Sequence, residues 1–226
     1  MNLNPDEIIV GHLWSLKINL TVLTTWFLMF FLIICARLIS KRVISDVHIS
    51  RWQGCIEMLV LGVKNQIEEI GIKKADKYVG FLGSLFVFLF VANLFSIIPG
   101  YRVPTGSLST TTALATCVLV AEIIFGITNK GFWGFLKTYA QPNIVMLPFN
   151  IISEFSRTFA LAVRLFGNMM SGEMMVSILI ALTPFFFPMI MTAFSLLIGM
   201  IQAYIFTVLA AVYIAAATQI QGETDG

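Results

Sequence analysis

Residues 174–222 contain no charged side chain. A stretch that long cannot be buried as one element in a soluble domain of ordinary size. Further uncharged tracts occur at 18–36, 78–101 and 103–121. Each is long enough for a bilayer core of about 30 Å, which takes roughly 20 helical residues. Soluble domains carry about 25% charged residues, whereas this chain carries 12%, with 58% hydrophobic residues and a mean hydropathy of +0.90. The expected fold is an all-α polytopic membrane protein; barrel strands would show short alternating segments instead. A net charge of +2 gives no reason to expect nucleic acid as a partner. No GxxxxGK[ST] loop occurs, and no cofactor is implied. Cys35, Cys55 and Cys117 lack metal or redox spacing. The N-terminus MNLNPDEIIVGHLWSLK carries acids where a signal peptide is basic, so the first apolar run is expected to be retained.

The pattern predicts five membrane-embedded helices and one surface helix in a single membrane domain, 1–226. Spanning helices are expected at 18–40, 78–98 and 108–127. Between the first two, Trp52, Ile56, Leu59, Val63, Ile67 and Ile70 recur at helical spacing, opposite Gln53, Glu57, Lys64, Asn65, Glu68 and Glu69. That predicts an amphipathic helix over 50–72, suited to a membrane surface, to a partner groove, or to packing on its own protein. Residues 128–142 read as a turn-rich segment whose Trp133, Phe135 and Tyr139 fit an interfacial belt. The last two helices, 143–182 and 189–219, form a hairpin across the prolines of TPFFFP. The first of them is too long to cross upright, so it tilts, kinks near Gly167 or lies partly in the membrane plane. Lys and Arg crowd the 41–77 connection and recur at Lys130 and Lys137. The positive-inside rule then puts these loops and the C-terminus in the cytoplasm, and the N-terminus outside.

Ionisable residues inside membrane segments are costly and mark function by default. Here they are Glu122, Glu154, Arg157, Arg164 and Glu173, with polar Asn93, Asn168 and Gln202. At 100° per residue, Arg157, Arg164 and Asn168 share nearly one face, and Glu154 can pair with Arg157. Glu173, nine residues beyond Arg164, points the opposite way. Arg164 therefore lacks an intrahelical partner, and a carboxylate on another chain is the natural one. At an effective dielectric near 20, two charges 4 Å apart interact by about 4 kcal/mol. Bland roles compete: Arg157 snorkelling or paired with Glu154, Glu122 at an interface, Asn93 bonding between helices, and the SLSTTT hydroxyls capping a helix.

RLFGNMMSGE, followed by IQAYIFTVLAAVYI, resembles the a subunit of the membrane sector of rotary ATP synthases. The resemblance covers nearly the whole chain. ISRWQ, PTGSLSTT and LPFNIISEFSRTFALAVRLFGN look most like the bacterial and archaeal N-type variety, which the family associates with sodium transport.

The resemblance implies a non-catalytic, ion-translocating stator in a bacterial or archaeal cell membrane. Its implied partners are a c-subunit ring, the b subunits of the peripheral stalk, the remaining F1Fo complex, and transported H+ or Na+. Arg164 matches the stator arginine that faces the ring carboxylates, and Gln202 the glutamine beside it. Asn168 and Glu173 match polar residues of the outer half-channel, while Glu154 would line the cytoplasmic one. Ser195 replaces a residue that is titratable in several relatives. Thr158 stands where many have proline, and SLSTTT where others carry an Asp and an Asn. Two rivals remain: a secondary transporter or channel that binds an anion at Arg164, and a structural scaffold.

Overall fold

The computed structural model describes residues 9–13, 16–42, 51–70, 76–98, 101, 103–139, 145–183 and 186–218. The protein is an all-α polytopic fold with one small β element. A two-stranded antiparallel hairpin, β1 (Ile9–Leu13) and β2 (Leu16–Asn19), precedes the first helix. Ile18 and Asn19, expected in the first helix, belong to β2; the alternation Leu16, Lys17, Ile18, Asn19 is the strand signal. Among the described residues six α-helices follow: α1 (Leu20–Arg42), α2 (Arg51–Glu69), α3 (Asp76–Leu94), α4 (Leu108–Tyr139), α5 (Met146–Leu182) and α6 (Phe187–Thr218). All but α2 are long and apolar enough to cross a membrane.

Helices α3 to α6 form the packed centre. Leu82, Leu85 and Leu89 of α3 meet Ala115 and Val118 of α4, Leu161 and Leu165 of α5, and Phe206 and Ile214 of α6. Ala203, Ala210, Ala211 and Ala215 line the buried side of α6. Within a bilayer, lipid tails are as apolar as leucine, so helices associate by close packing, and small residues permit it. α1 lies more peripherally; Leu28 is buried while Trp26, Phe27 and Phe30 are exposed. α2 packs on its own protein through Ile67, Val63 and Ile70. Tyr204 Oη donates to Gln66 Oε1 at 2.7 Å, and Lys64 Nζ lies 2.8 Å from Asp76, so α2 is tied to α6 and α3. The hydrogen bond and charge of Asp76 raise the Lys64 pKa above its ordinary value.

Two expectations about helix ends change. α4 does not stop at Ile127 but continues to Tyr139, broken only at Gly131 (φ 74°, ψ 161°). That conformation suits glycine, which has no Cβ to clash. Beyond the break, Phe135 packs back so closely that a Cβ added to Gly126 would fall 2.5 Å from its ring. Of the proposed aromatic belt, Trp133 is 80% exposed and Phe135 half-buried, while the Tyr139 side chain lies outside the described residues. α5 is one helix through Gly167, with Pro148 in its first turn, where proline is tolerated.

Candidate functional site

α5 carries an outward stripe of Ala160, Arg164, Gly167, Asn168, Ser171 and Met175, all exposed and spaced by three or four residues. The Arg164 guanidinium makes no hydrogen bond or ion pair among the described residues. Small neighbours leave it accessible, and the space beside Gly167 is open to beyond 4 Å. One turn on, Asn168 Nδ2 donates to Gln202 Oε1 across the α5–α6 hairpin at 2.6 Å. Gln202 is 3% exposed, and its Nε2 has no partner among the described residues. Arg164 and Asn168 lie one turn apart on α5, and the fold brings Asn168 into contact with Gln202 of α6.

Behind this pair, Asn93 Nδ2 of α3 donates to the Gly199 carbonyl at 2.7 Å. Asn93 is an interhelical hydrogen bonder, one turn of α6 before Gln202. Gly199 lets the two helices approach: a Cβ there would meet Met169 at 2.9 Å and Asn93 at 3.1 Å. Exchanging Asn93 for leucine should cost about 1 kcal/mol, the usual scale of such bonds in membranes. A lower thermal midpoint of the detergent-solubilised assembly would register it.

Toward the α3–α4 connection, Glu173 packs against the buried 3-10 turn Pro104–Gly106. A Cβ on Gly106 would lie 3.1 Å from Glu173 Oε1. Ser195 sits at the same level, its Oγ 3.0 Å from where a Cβ on Gly172 would be. Thr105 is fully buried, and its hydroxyl has no partner among the described residues. Tyr101, in the same connection, is half-buried, and burial raises its pKa above the ordinary tyrosine value. The SLSTTT hydroxyls are mostly spent locally: Thr111 and Thr112 donate to the Ser107 and Leu108 carbonyls. Ser107 and Ser109 bond each other at 2.7 Å.

At the opposite end of the hairpin, Glu122, Asn150, Ser153, Glu154, Arg157, Ala216 and Ala217 line a cavity of about 150 Å³. Glu122 is 2% exposed, buried between helices rather than on the protein surface. Its carboxyl shares the cavity with that of Glu154. Arg157 Nη1 lies 3.7 Å from Glu154 Oε2, and its guanidinium sits 5.8 Å from the Tyr213 ring centre. Asn150 and Ser153 were not singled out from sequence. Their signal was present, since Asn150, Ser153, Glu154 and Arg157 follow helical spacing on one face. Oxygen and nitrogen groups of this kind can pass a proton or a hydrated cation; among the described residues no cluster of three His, Cys, Asp or Glu could hold a metal.

α5 therefore carries three polar stations: the Glu154 cavity, Arg164 in the middle, and Glu173 against the turn. A sequence profile of the ATP synthase A chain family matches residues 21–215. ATP synthase subunit a of Albidiferax ferrireducens is 56% identical over 219 residues, 97% of this chain and 95% of that protein. ATP synthase subunit a 1 of Prosthecochloris aestuarii is 52% identical over 223 residues, 99% of this chain and all of that protein. Subunit a of Nitrosospira multiformis is 50% identical over this whole chain and 90% of its own length. With nearly its full length matched in this way, the chain belongs to the family of ATP synthase a subunits.

Proposed function

We propose that this chain is the stationary, non-catalytic subunit through which H+ or Na+ crosses a bacterial or archaeal cell membrane and turns a ring of c subunits. The observation that carries the reading is Arg164: a charged side chain on an exposed, small-residue stripe of α5, unpaired among the described residues. A carboxylate on a passing ring helix would complete it. Facing the arginine, that carboxylate is held ionised and releases its cation. The ion enters from outside beside Glu173 and Ser195, binds a ring carboxylate, and travels round in lipid as a neutral pair. It leaves through the Glu122–Glu154 cavity toward the cytoplasm. The Asn168–Gln202 bond fixes the hairpin where the ring would pass. The b subunits and the remaining F1Fo complex hold this chain still, with its N-terminus outside and its C-terminus cytoplasmic.

The test is ATP-driven cation uptake by vesicles containing the full complex, with and without sodium. Uptake of protons or of sodium that stops when ATP hydrolysis is inhibited is the expected result. Tightly sealed vesicles in which neither cation moves while ATP is hydrolysed would overturn the reading.

A further inference from the structure

The geometry points to the Pro104–Gly106 turn as the element that sets the position of the Glu173 carboxylate, with Gly106 as a positioning residue for ion entry; this rests on the functional reading above. Val103, Pro104, Thr105, Gly106 and Ser107 are all buried, although they connect two spanning helices. The turn is closed by its own backbone: Gly106 N donates to the Val103 carbonyl at 3.0 Å, and Ser107 N to that of Pro104 at 3.2 Å. It is thus a fixed surface rather than a loose loop. The carboxylate rests on the one residue of that surface without a side chain. A Cβ on Gly106 would stand 3.1 Å from Oε1, 3.3 Å from Oε2 and 3.4 Å from the carboxyl carbon. All three values are at or inside the tight limit of ordinary carbon contacts, and no other heavy atom comes as near. Gly106 does not have a left-handed φ. Alanine is therefore tolerated by the backbone, and the strain falls on the carboxylate, which shifts by a few tenths of an ångström. The glycine serves the position of the acid rather than the shape of the turn.

The shape of this contact makes a compensating change available. Glu173→Asp retains the charge but withdraws it by one methylene, out of reach of a new Cβ. The experiment compares wild type, G106A, G106V, E173D and the G106A/E173D double variant, each as the assembled complex in vesicles. ATP-driven cation uptake is read against ATP hydrolysis and complex yield. Small displacements of a reacting group cost several-fold in rate, so G106A should lower uptake about 3-fold and G106V about 10-fold with yield unchanged. In the E173D background, adding G106A should have almost no further effect, because the residues that touch are coupled. ATP synthesis driven by an ion gradient loads the ring from the Glu173 side, and in G106A it should need a different outer pH or sodium concentration for half-saturation, which a purely structural role would not require. The inference is overturned if G106A costs the same factor in both backgrounds, or if neither Gly106 variant changes uptake. A wild-type complex that moves no cation overturns the functional reading instead.

Discussion

Replacing Arg164 by alanine should abolish ATP-driven ion uptake by the assembled complex while ATP hydrolysis continues. The guanidinium stands on the exposed stripe of α5, with no counter-charge among the described residues. Its removal therefore takes away only what it does for a carboxylate brought from elsewhere. An interaction of about 4 kcal/mol at an effective dielectric near 20 corresponds to about three powers of ten in ion release. Loss of uptake by at least about 100-fold is expected, even if solvation recovers part of that energy. Folding of the subunit should be unaffected, since among the described residues the guanidinium makes no hydrogen bond or ion pair. Arg164→Lys should fall between the two, because a lysine desolvated against a ring can give up its proton. Coupled uptake at wild-type rate in the alanine variant would refute the assignment.

Gly199→Val should produce the largest effect on stability. The added carbons would meet Met169 and Asn93 at about 3 Å, inside the α3–α5–α6 contact. Overpacking of this kind costs about 1–3 kcal/mol. It also has a functional side, because Gln202 lies one turn further along α6. A displaced α6 stretches both the Asn93 bond to Gly199 and the Asn168 bond to Gln202. A lower thermal midpoint together with weaker coupling is the expected outcome. Gly83→Ala is a suitable control, since nothing lies within 4 Å of the Cβ it would add. Alanine is also the better helix former. If Gly199→Val melts with the control, the close approach of α3 and α6 is not a constraint.

Helical periodicity made the central features legible. Charge-free runs mark four of the five membrane helices, and a rotation of 100° per residue separates Arg164 from Glu173. Both depend on local spacing. What escaped depends on distance along the chain. Glu122 shares a cavity with Glu154 only because α4 and α5 lie side by side, and no spacing within α4 announces it. Gly106 looks like an ordinary turn residue until α5 delivers Glu173 onto it. The end of α4 is hidden for another reason: glycine and aromatics in TNKGFWGFLKTY resemble turn and interface signals. In fact one left-handed glycine reverses the chain, and Phe135 then packs onto Gly126. Similarly, the apolar side of α2 fitted either lipid or protein. The outcome was decided by Ile67, which is buried against the spanning helices.

The unbroken length of α5 has an electrical consequence. At 1.5 Å per residue its 37 residues measure about 56 Å, and kept within a hydrocarbon core of about 30 Å they lean about 57° from the membrane normal. Glu154 and Glu173 are then separated by about 24 Å sideways but only about 15 Å in depth. Under the proposed function water reaches both, and the membrane voltage then falls along the ~28 Å between them, a path close to the hydrocarbon thickness but mostly sideways. A charge moving along that path still gains about 2.3 kcal/mol per 100 mV. It gains it over a short drop beside a long lateral offset, so a vertical potential difference is converted into a sideways bias on whatever charge moves along the stripe.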